Sequence, residues 1–532
     1  GDRCSDMEQY EKAMEYYQQA LSAYTEIAQG VDSEDAANTL RSLGQNCRNM
    51  KQNDKAEDYY LRALAIYRDS SQGTSCEVLA GTLFDLGSNY KEMELSKKAV
   101  NYYQQALSVY RDISHGTEKS IADTLYALGA SNSDMEQYDE AVDYYHQALS
   151  GYKEISQGSG SEDIADAMNN LAECYDEMEQ YEKAESYFLQ ALAVYKQISQ
   201  GAGDINIANT LANLGNNNRS REQHDQSEDY YQQALSIYRE IPQGAGSEDE
   251  AHTLLNLGVS TSCTKQFDKA ECHFKQALSV YREISQGANS EDIANALNNL
   301  GNTYTAMEQY EKAEDTYQQA LMVYREISQG ADSDDIANTM INLGSNYDAA
   351  GVSSKARDTL TQAFSMLLRV DPRNPSVKRV IKYLSQSKGD IEKAQAEIAF
   401  EINVIGAKYK NRRQHSKAKD CFNQALAIYR QLPPGVSSVN ISRTLIKLAL
   451  NCCEMKKFTE ADRCLKEASV AYEGLPENED NVLTADTLCN MALCYLYRGN
   501  NQAAMETFTK AYNIYKRVNP NNPHVHIIQK YM

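Results

Sequence analysis

The sequence predicts an all-α fold, a right-handed α-α superhelical solenoid of antiparallel helix pairs. Three observations carry this expectation. The alanine of an Ala-Leu-x-x-Tyr motif returns about every 43 residues, at Ala20, Ala63, Ala106, Ala148, Ala191, Ala234, Ala277, Ala320 and Ala363. It resumes with substitutions at Ala425, Ala468 and Ala511. A unit of this length buries its apolar face only against its neighbours, so the units must stack. Within each period, apolar residues recur twice at helical spacing. Glycine (27) and proline (8) are too few for a linker-rich or disordered chain of 532 residues.

The unit that begins at Ser290 shows how each element arises. Its first half places Ile293, Leu297, Leu300, Tyr304 and Met307 at steps of three and four, and its second half does so with Tyr310, Ala313, Tyr317, Ala320, Leu321 and Tyr324. Both halves read as amphipathic helices. Ser290 is a natural N-cap, Glu291 and Asp292 complement the positive helix start, and Gly330 supplies a left-handed residue at the end. Equivalent ends stand at Gly30, Gly73, Gly116, Gly158, Gly201, Gly244 and Gly287. Gly301 and Ala313 form a close helix crossing, repeated as Gly44/Ala56, Gly87/Ala99, Gly129/Ala141 and Ala172/Ala184. In tyrosine pairs such as Tyr59/Tyr60 and Tyr102/Tyr103, one ring is expected in the core.

Two related segments punctuate the array. Residues 369–384 read RVDPRNPSVKRVIKYL and residues 517–532 read RVNPNNPHVHIIQKYM. Paired prolines stop the preceding helix, and a short amphipathic helix (Val377, Ile381 and Leu384 in the first copy) can cover an exposed end. Two capped blocks are therefore expected. Residues 1–370 form nine units with the first truncated, 371–390 a cap and hinge, 391–518 three units, and 519–532 a final cap. The first residues align with the middle of a unit (Gly1-Asp2-Arg3 with Gly301-Asn302-Thr303), so the chain is expected to be part of a longer protein.

Composition narrows function. The net charge of −23 divides into −31 over residues 1–370 and +8 over 371–532. An acidic body of this size repels nucleic-acid backbone and acidic lipid, so neither nucleic acid nor membrane is expected as a partner. Twelve cysteines lack framework spacing, and Cys47, Cys174, Cys263, Cys421 and Cys494 fall in helical registers. This points to reduced thiols and a cytoplasmic protein. Gly158-Ser159-Gly160 and its relatives lie between helices with no strand before them, and no cysteine–histidine group has metal-site spacing. No catalytic pair, cofactor or metal is expected.

Leu-Gly, then alanine 12 residues after the glycine, an aromatic at 16 and alanine at 19, resembles the tetratricopeptide repeat signature over nearly the whole chain. The 42–43-residue period is most similar to the kinesin-light-chain and nephrocystin-3 subtype. The Asn-Leu-Gly-Asn run at 299–302 resembles the Leu-Gly-Asn scaffolds of spindle orientation. Two departures stand out: the usual proline late in the second helix is Arg or Lys (Arg68, Arg111, Lys153, Lys196, Arg239, Arg282, Arg325), and the chain has no tryptophan.

The resemblance implies that the first helices line a concave groove. Six residues before the Leu-Gly glycine stand Asn38, Gly81, Asp123, Asp166, Asn209, His252, Asn295 and Asn338. Three before stand Asn169 and Asn298, and one after stand Asn216 and Asn302. Asparagine is a mediocre helix former, and its amide carries both donor and acceptor, so a ladder of them suits an extended peptide backbone. Asp123, Asp134, Asp166, Glu173, Asp176 and Glu177 would favour basic side chains in a ligand, and Arg41, Arg48 and Lys91 acidic groups. The expected function is a non-catalytic scaffold or adaptor that binds extended peptide segments. The alternative is the sensor region of a larger signalling ATPase of the STAND type. Oligomeric state is not legible.

Overall fold

The computed structural model describes residues 9–27, 34–69, 76–113, 116–157, 160–199, 204–242, 244–286, 289–371, 374–386, 391–432, 434–473, 482–518, 525 and 528–529. The described residues form 24 helices with no strand, an all-α solenoid of consecutive helix pairs. They divide into two compact units, residues 1–280 and 281–532.

The first unit contains α1 (Tyr10–Ile27), α2 (Glu34–Asn49), α3 (Asn53–Asp69), α4 (Cys76–Glu92), α5 (Ser96–Asp112), α6 (Glu118–Ser133) and α7 (Tyr138–Ile155). It continues with α8 (Glu162–Glu177), α9 (Tyr181–Ile198), α10 (Ile205–Ser220), α11 (His224–Glu240), α12 (Glu248–Cys263) and most of α13 (Phe267–Ile284). From α2 to α12, even-numbered helices are the first helices of repeats; each packs on the odd-numbered helix before it, and α2 to α10 also on the one after. Where Gly87 faces Tyr103, an added Cβ would come within 2.8 Å of the ring, and at Gly215 within 2.5 Å of Tyr231. The glycine thus admits the aromatic 16 residues later as well as the small residue at 12, Ala99 after Gly87 and Ser227 after Gly215. Tyr60, Tyr103 and Tyr145 are buried, as the paired tyrosines predict, while Tyr59, Tyr102 and Tyr144 stay half-exposed.

A second inter-helix device escapes the hydrophobic pattern. Two residues after the glycine, Asn46, Asn89 and Asn217 are fully buried. Each Nδ2 donates to a backbone carbonyl 36 residues earlier, at Tyr10 (2.7 Å), Asn53 (3.0 Å) and Tyr181 (3.2 Å). These carbonyls lie in the first turn of the preceding repeat's second helix, so each amide stitches one repeat to the next. Arg68, Arg111 and Arg239, at the position of the missing proline, also reach forward, to Gln105, Gln147 and Gln276.

The second unit holds the rest of α13, then α14 (Glu291–Ala306), α15 (Tyr310–Ile327), α16 (Asp334–Ala349), α17 (Ser353–Val370), α18 (Pro375–Gln386) and α19 (Ile391–Asn411). It ends with α20 (His415–Tyr429), α21 (Pro434–Glu454), α22 (Phe458–Glu473), α23 (Val482–Tyr497) and α24 (Asn501–Val518). Ser290 caps α14 by accepting from the Ile293 N–H at 3.3 Å. Gly330 is left-handed as expected, with φ +80, but Gln329 before it is too, with φ +52. Gly30, Gly73, Gly158, Gly201 and Gly287 lie outside the described residues. The buried-amide stitch recurs as Asn346 to Tyr310 (3.0 Å) and Asn451 to His415 (2.9 Å).

On α18, Val377, Val380 and Leu384 are buried, and Ile381 is half-buried. The expected hinge residues 387–390 lie outside the described residues. On their far side, Tyr409 donates to the Leu368 and Arg369 carbonyls, both at 2.7 Å, and so caps the end of α17. Of the expected C-terminal cap, only Val525, Ile528 and Gln529 are described. Val525 and Ile528 are buried with Phe508 and Tyr515. Cys47, Cys174, Cys421 and Cys494 are buried free thiols, whereas Cys263 is exposed. Among the described residues no helix is long and apolar enough to cross a membrane.

Candidate functional site

At five repeats the polar side chain six residues before the glycine is held by the repeat's own signature tyrosine. In the first unit Tyr67 donates to Asn38 Oδ1 at 2.6 Å, Tyr152 to Asp123 Oδ1 at 2.8 Å, Tyr195 to Asp166 Oδ1, and Tyr238 to Asn209 Oδ1 at 2.5 Å. Each of these tyrosines closes an Ala-Leu-x-x-Tyr motif 29 residues after its partner. Burial pushes the Tyr67 hydroxyl up to about 12 and raises those of Tyr152, Tyr195 and Tyr238 as well. All four are therefore proton donors at neutral pH. On α4 the register holds Gly81, with no side chain to hold. A Cβ there would meet Arg41 Nη2 at 2.8 Å, because the Arg41 guanidinium fills the space and pairs with Asp85 at 2.7 Å.

The second unit repeats the arrangement. Tyr324 donates to Asn295 Oδ1 at 2.6 Å. Leu367 replaces the tyrosine that would serve Asn338, and Ser376 on α18 donates to Asn338 Oδ1 instead, at 2.8 Å. Asn302 Oδ1 accepts from Tyr317 at 2.7 Å, and Asn298 Oδ1 from Asn342 at 3.2 Å.

Two of the clefts in the first unit hold the expected residues. One, of about 620 Å³, is lined by Arg48, Lys91, Asp123 and Asp166 together with Phe84 and Tyr126. The other, of about 410 Å³, gathers Asn169, Asn209, Asn216 and His252 with Glu173 and Asn256. Asn38 lines neither. Asn216 Oδ1 accepts from both Tyr231 (2.7 Å) and Asn256 (3.0 Å). Glu173 accepts from Asn169 (2.8 Å) and Asn213 (2.7 Å). Phe84, Tyr126 and Asp163 were not expected as lining residues. Phe84 and Tyr126 occupy the register three before the glycine, the one that holds Asn169 in the following repeat, so that signal was present in the sequence.

The cations near the N-terminal end are already paired. Arg48 meets Glu92 at 3.3 Å, Lys91 meets Asp134 at 3.8 Å, and Lys119 meets Asp163 at 2.7 Å and Asp123 at 3.4 Å. With Arg41 bound to Asp85, the positive end expected of Arg41, Arg48 and Lys91 is neutralised within the protein. Asp166 differs: among the described residues its carboxylate has a tyrosine donor and no cation. Burial raises the Asp166, Glu173 and Asp176 carboxyls, opposed by hydrogen bonds from Tyr195, from Asn169 and Asn213, and from Asn217 respectively. Glu173 is exposed, yet neighbouring side chains crowd its carboxyl enough to raise it.

The tetratricopeptide repeat pattern matches residues 3–69, 120–197, 206–283, 292–369 and 440–517, and a second version of it matches 80–113. The chain belongs to the tetratricopeptide repeat family. Repeats of this family serve as protein-interaction scaffolds. No curated protein sequence matches this chain. Among solved structures, this tetratricopeptide array is similar to the apo quorum sensor NprR from B. thuringiensis, at 13% identity and TM-score 0.48, over 68% of this chain and 99% of that one. BtubC from P. vanneervenii is 21% identical with TM-score 0.38, over 45% and 91%. A STAND signal-transduction ATPase with a tetratricopeptide repeat sensor, from Pyrococcus horikoshii, is 15% identical with TM-score 0.46. That similarity spans 67% of this chain and 51% of the other.

Proposed function

We propose that this tetratricopeptide array is a cytoplasmic scaffold that holds extended peptide segments of partner proteins along its first helices. The observation that carries the reading is the state of the asparagine amides. Asn38, Asn209 and Asn295 each have Oδ1 engaged by a tyrosine, and among the described residues no acceptor takes their Nδ2 protons. Oriented, solvent-accessible donors with no acceptor in the protein suit peptide carbonyls, which every sequence presents. Asn169, Asn216 and His252 complete the wall of the smaller cleft, and Asn298, Asn302 and Asn338 continue the register in the second unit. Asp123 and Asp166, beside Phe84 and Tyr126, select a basic side chain whose stem lies on the rings and whose charge meets the carboxylates.

The test is affinity capture from cell lysate with the native chain beside an Asn209→Ala, Asn295→Ala, Asn338→Ala variant of matched helicity. Partners held by the native chain and lost by the variant support the reading. Equal capture by both contradicts it.

A further inference from the structure

We propose that the signature tyrosines set the polarity of the groove, turning the Asn/Asp choice at each repeat into a donor/acceptor code. This inference rests on the groove-binding reading above and specifies what each repeat reads. A tyrosine hydroxyl 29 residues on supplies one proton to one oxygen at the position six before the glycine. At Asp123 and Asp166 the tyrosine can only donate, since the carboxylate has no proton to give at neutral pH. The same geometry at Asn38, Asn209 and Asn295 places Oδ1 toward the hydroxyl and so turns Nδ2 away from it. An asparagine repeat then offers two N–H donors and takes a ligand carbonyl. An aspartate repeat offers its remaining oxygen and takes an N–H donor, best a cationic one; at Asp123 both Tyr152 and the internal Lys119 (3.4 Å) engage Oδ1, so Oδ2 is the oxygen on offer.

Three further observations fit this device. Where the tyrosine is missing, at Leu367, another hydroxyl (Ser376) donates to the same Oδ1 of Asn338 at 2.8 Å, so the polarity is kept by a different residue. Where the side chain is missing, at Gly81, Arg41 fills the space and the repeat carries no code. The tyrosine hydroxyls, protonated at physiological pH in any case, are raised further by burial, so they stay donors into the alkaline range. In the first unit the string from α2 to α10 is donor, blank, acceptor, acceptor, donor. The ligand class that fits it is an extended peptide with basic residues beside α6 and α8 and carbonyl contacts at α2 and α10.

The experiment uses the full chain and a display library of random 12-residue peptides as the probe. Selection on the native protein is expected to enrich Lys or Arg. An Asp123→Asn, Asp166→Asn variant keeps peptide binding and loses that enrichment, and a native-selected basic peptide binds it at least about tenfold more weakly. Asn209→Asp gains one further basic position. Unchanged Lys and Arg enrichment in the Asp→Asn variant overturns the code. A second measurement needs no ligand. In perdeuterated protein the Asn209 side-chain amide should show one rigid environment, and Tyr238→Phe should make it mobile. An amide equally rigid in Tyr238→Phe overturns the lock. A library that yields no peptide at all, with the lock intact by this second measurement, overturns the groove reading and not the lock.

Discussion

From α2 to α8 in the first unit, neighbouring first helices are joined by ion pairs: Arg41 to Asp85, Arg48 to Glu92, Lys91 to Asp134 and Lys119 to Asp163. From α8 to α12 the same steps between repeats are made by amides: Asn206 to Glu162 (3.2 Å), Asn213 to Glu173 (2.7 Å), Asn217 to Asp176 (2.5 Å) and Asn256 to Asn216 (3.0 Å). The backbone register is shared, yet the inner surfaces differ. Ion pairs consume the charges they are made of, whereas amide bonds to acids leave negative charge in place. This explains why the cationic side chains cancel locally while Asp166, Glu173 and Asp176 remain an acidic, crowded patch.

The comparison can be broken first at the packing that both stretches share. Gly87→Leu and Gly215→Leu drive a side chain into Tyr103 and Tyr231 and should each cost about 3 kcal/mol by urea unfolding. Unequal costs would show that the two stretches do not share one helix crossing. The buried stitch comes next. Asn89→Ala and Asn217→Ala remove a buried amide and its bond to the Asn53 and Tyr181 carbonyls, leave a cavity, and should each destabilise by about 2 kcal/mol, the Asn89 loss insensitive to salt. Arg41→Gln should cost about 1 kcal/mol at low ionic strength, and most of that should vanish in 1 M NaCl (about a 3 Å screening length), whereas Asn213→Ala should show no such loss.

The smallest effect is a pH dependence confined to the amide stretch. Burial raises the Glu173 carboxyl above its ordinary 4.5, so the folded chain binds this proton more tightly than the unfolded chain does. Stability should therefore rise as pH falls through the raised value toward 4.5, and be lost as pH rises back through it. Glu173→Gln, which keeps an acceptor for Asn169 and Asn213, should raise the melting temperature at pH 7 and flatten its rise on acidification. A melting temperature that responds to pH equally in both proteins would assign the effect elsewhere.

Much of this was legible in the sequence because solenoid packing is local. The 43-residue period, Ser290 as a cap and the buried tyrosines follow from spacing alone. The register of the tyrosine-bonded positions also follows, since it counts from the Leu-Gly glycine. What spacing does not show is which side chains reach across it. Asn217 and Asn213 are four residues apart on one helix, yet one is a buried stitch to Tyr181 and the other an exposed bond to Glu173. The Tyr238–Asn209 bond joins residues 29 apart, on different helices, and a tyrosine in an apolar register reads as core until its hydroxyl is placed. The left-handed Gln329 illustrates the same limit, because only the backbone path shows that the turn begins one residue before Gly330.

The most direct test of peptide binding on the inner face is site-specific photo-cross-linking. A benzophenone side chain would be placed at Ala212, in the wall of the amide-lined cleft, and separately at Leu189, an exposed residue of the second helix α9. With a library-selected peptide, position 212 should give cross-links that unlabelled peptide competes away, and position 189 none. Cross-linking from 189 with 212 silent would contradict binding on the inner face and move the binding surface to the second helices.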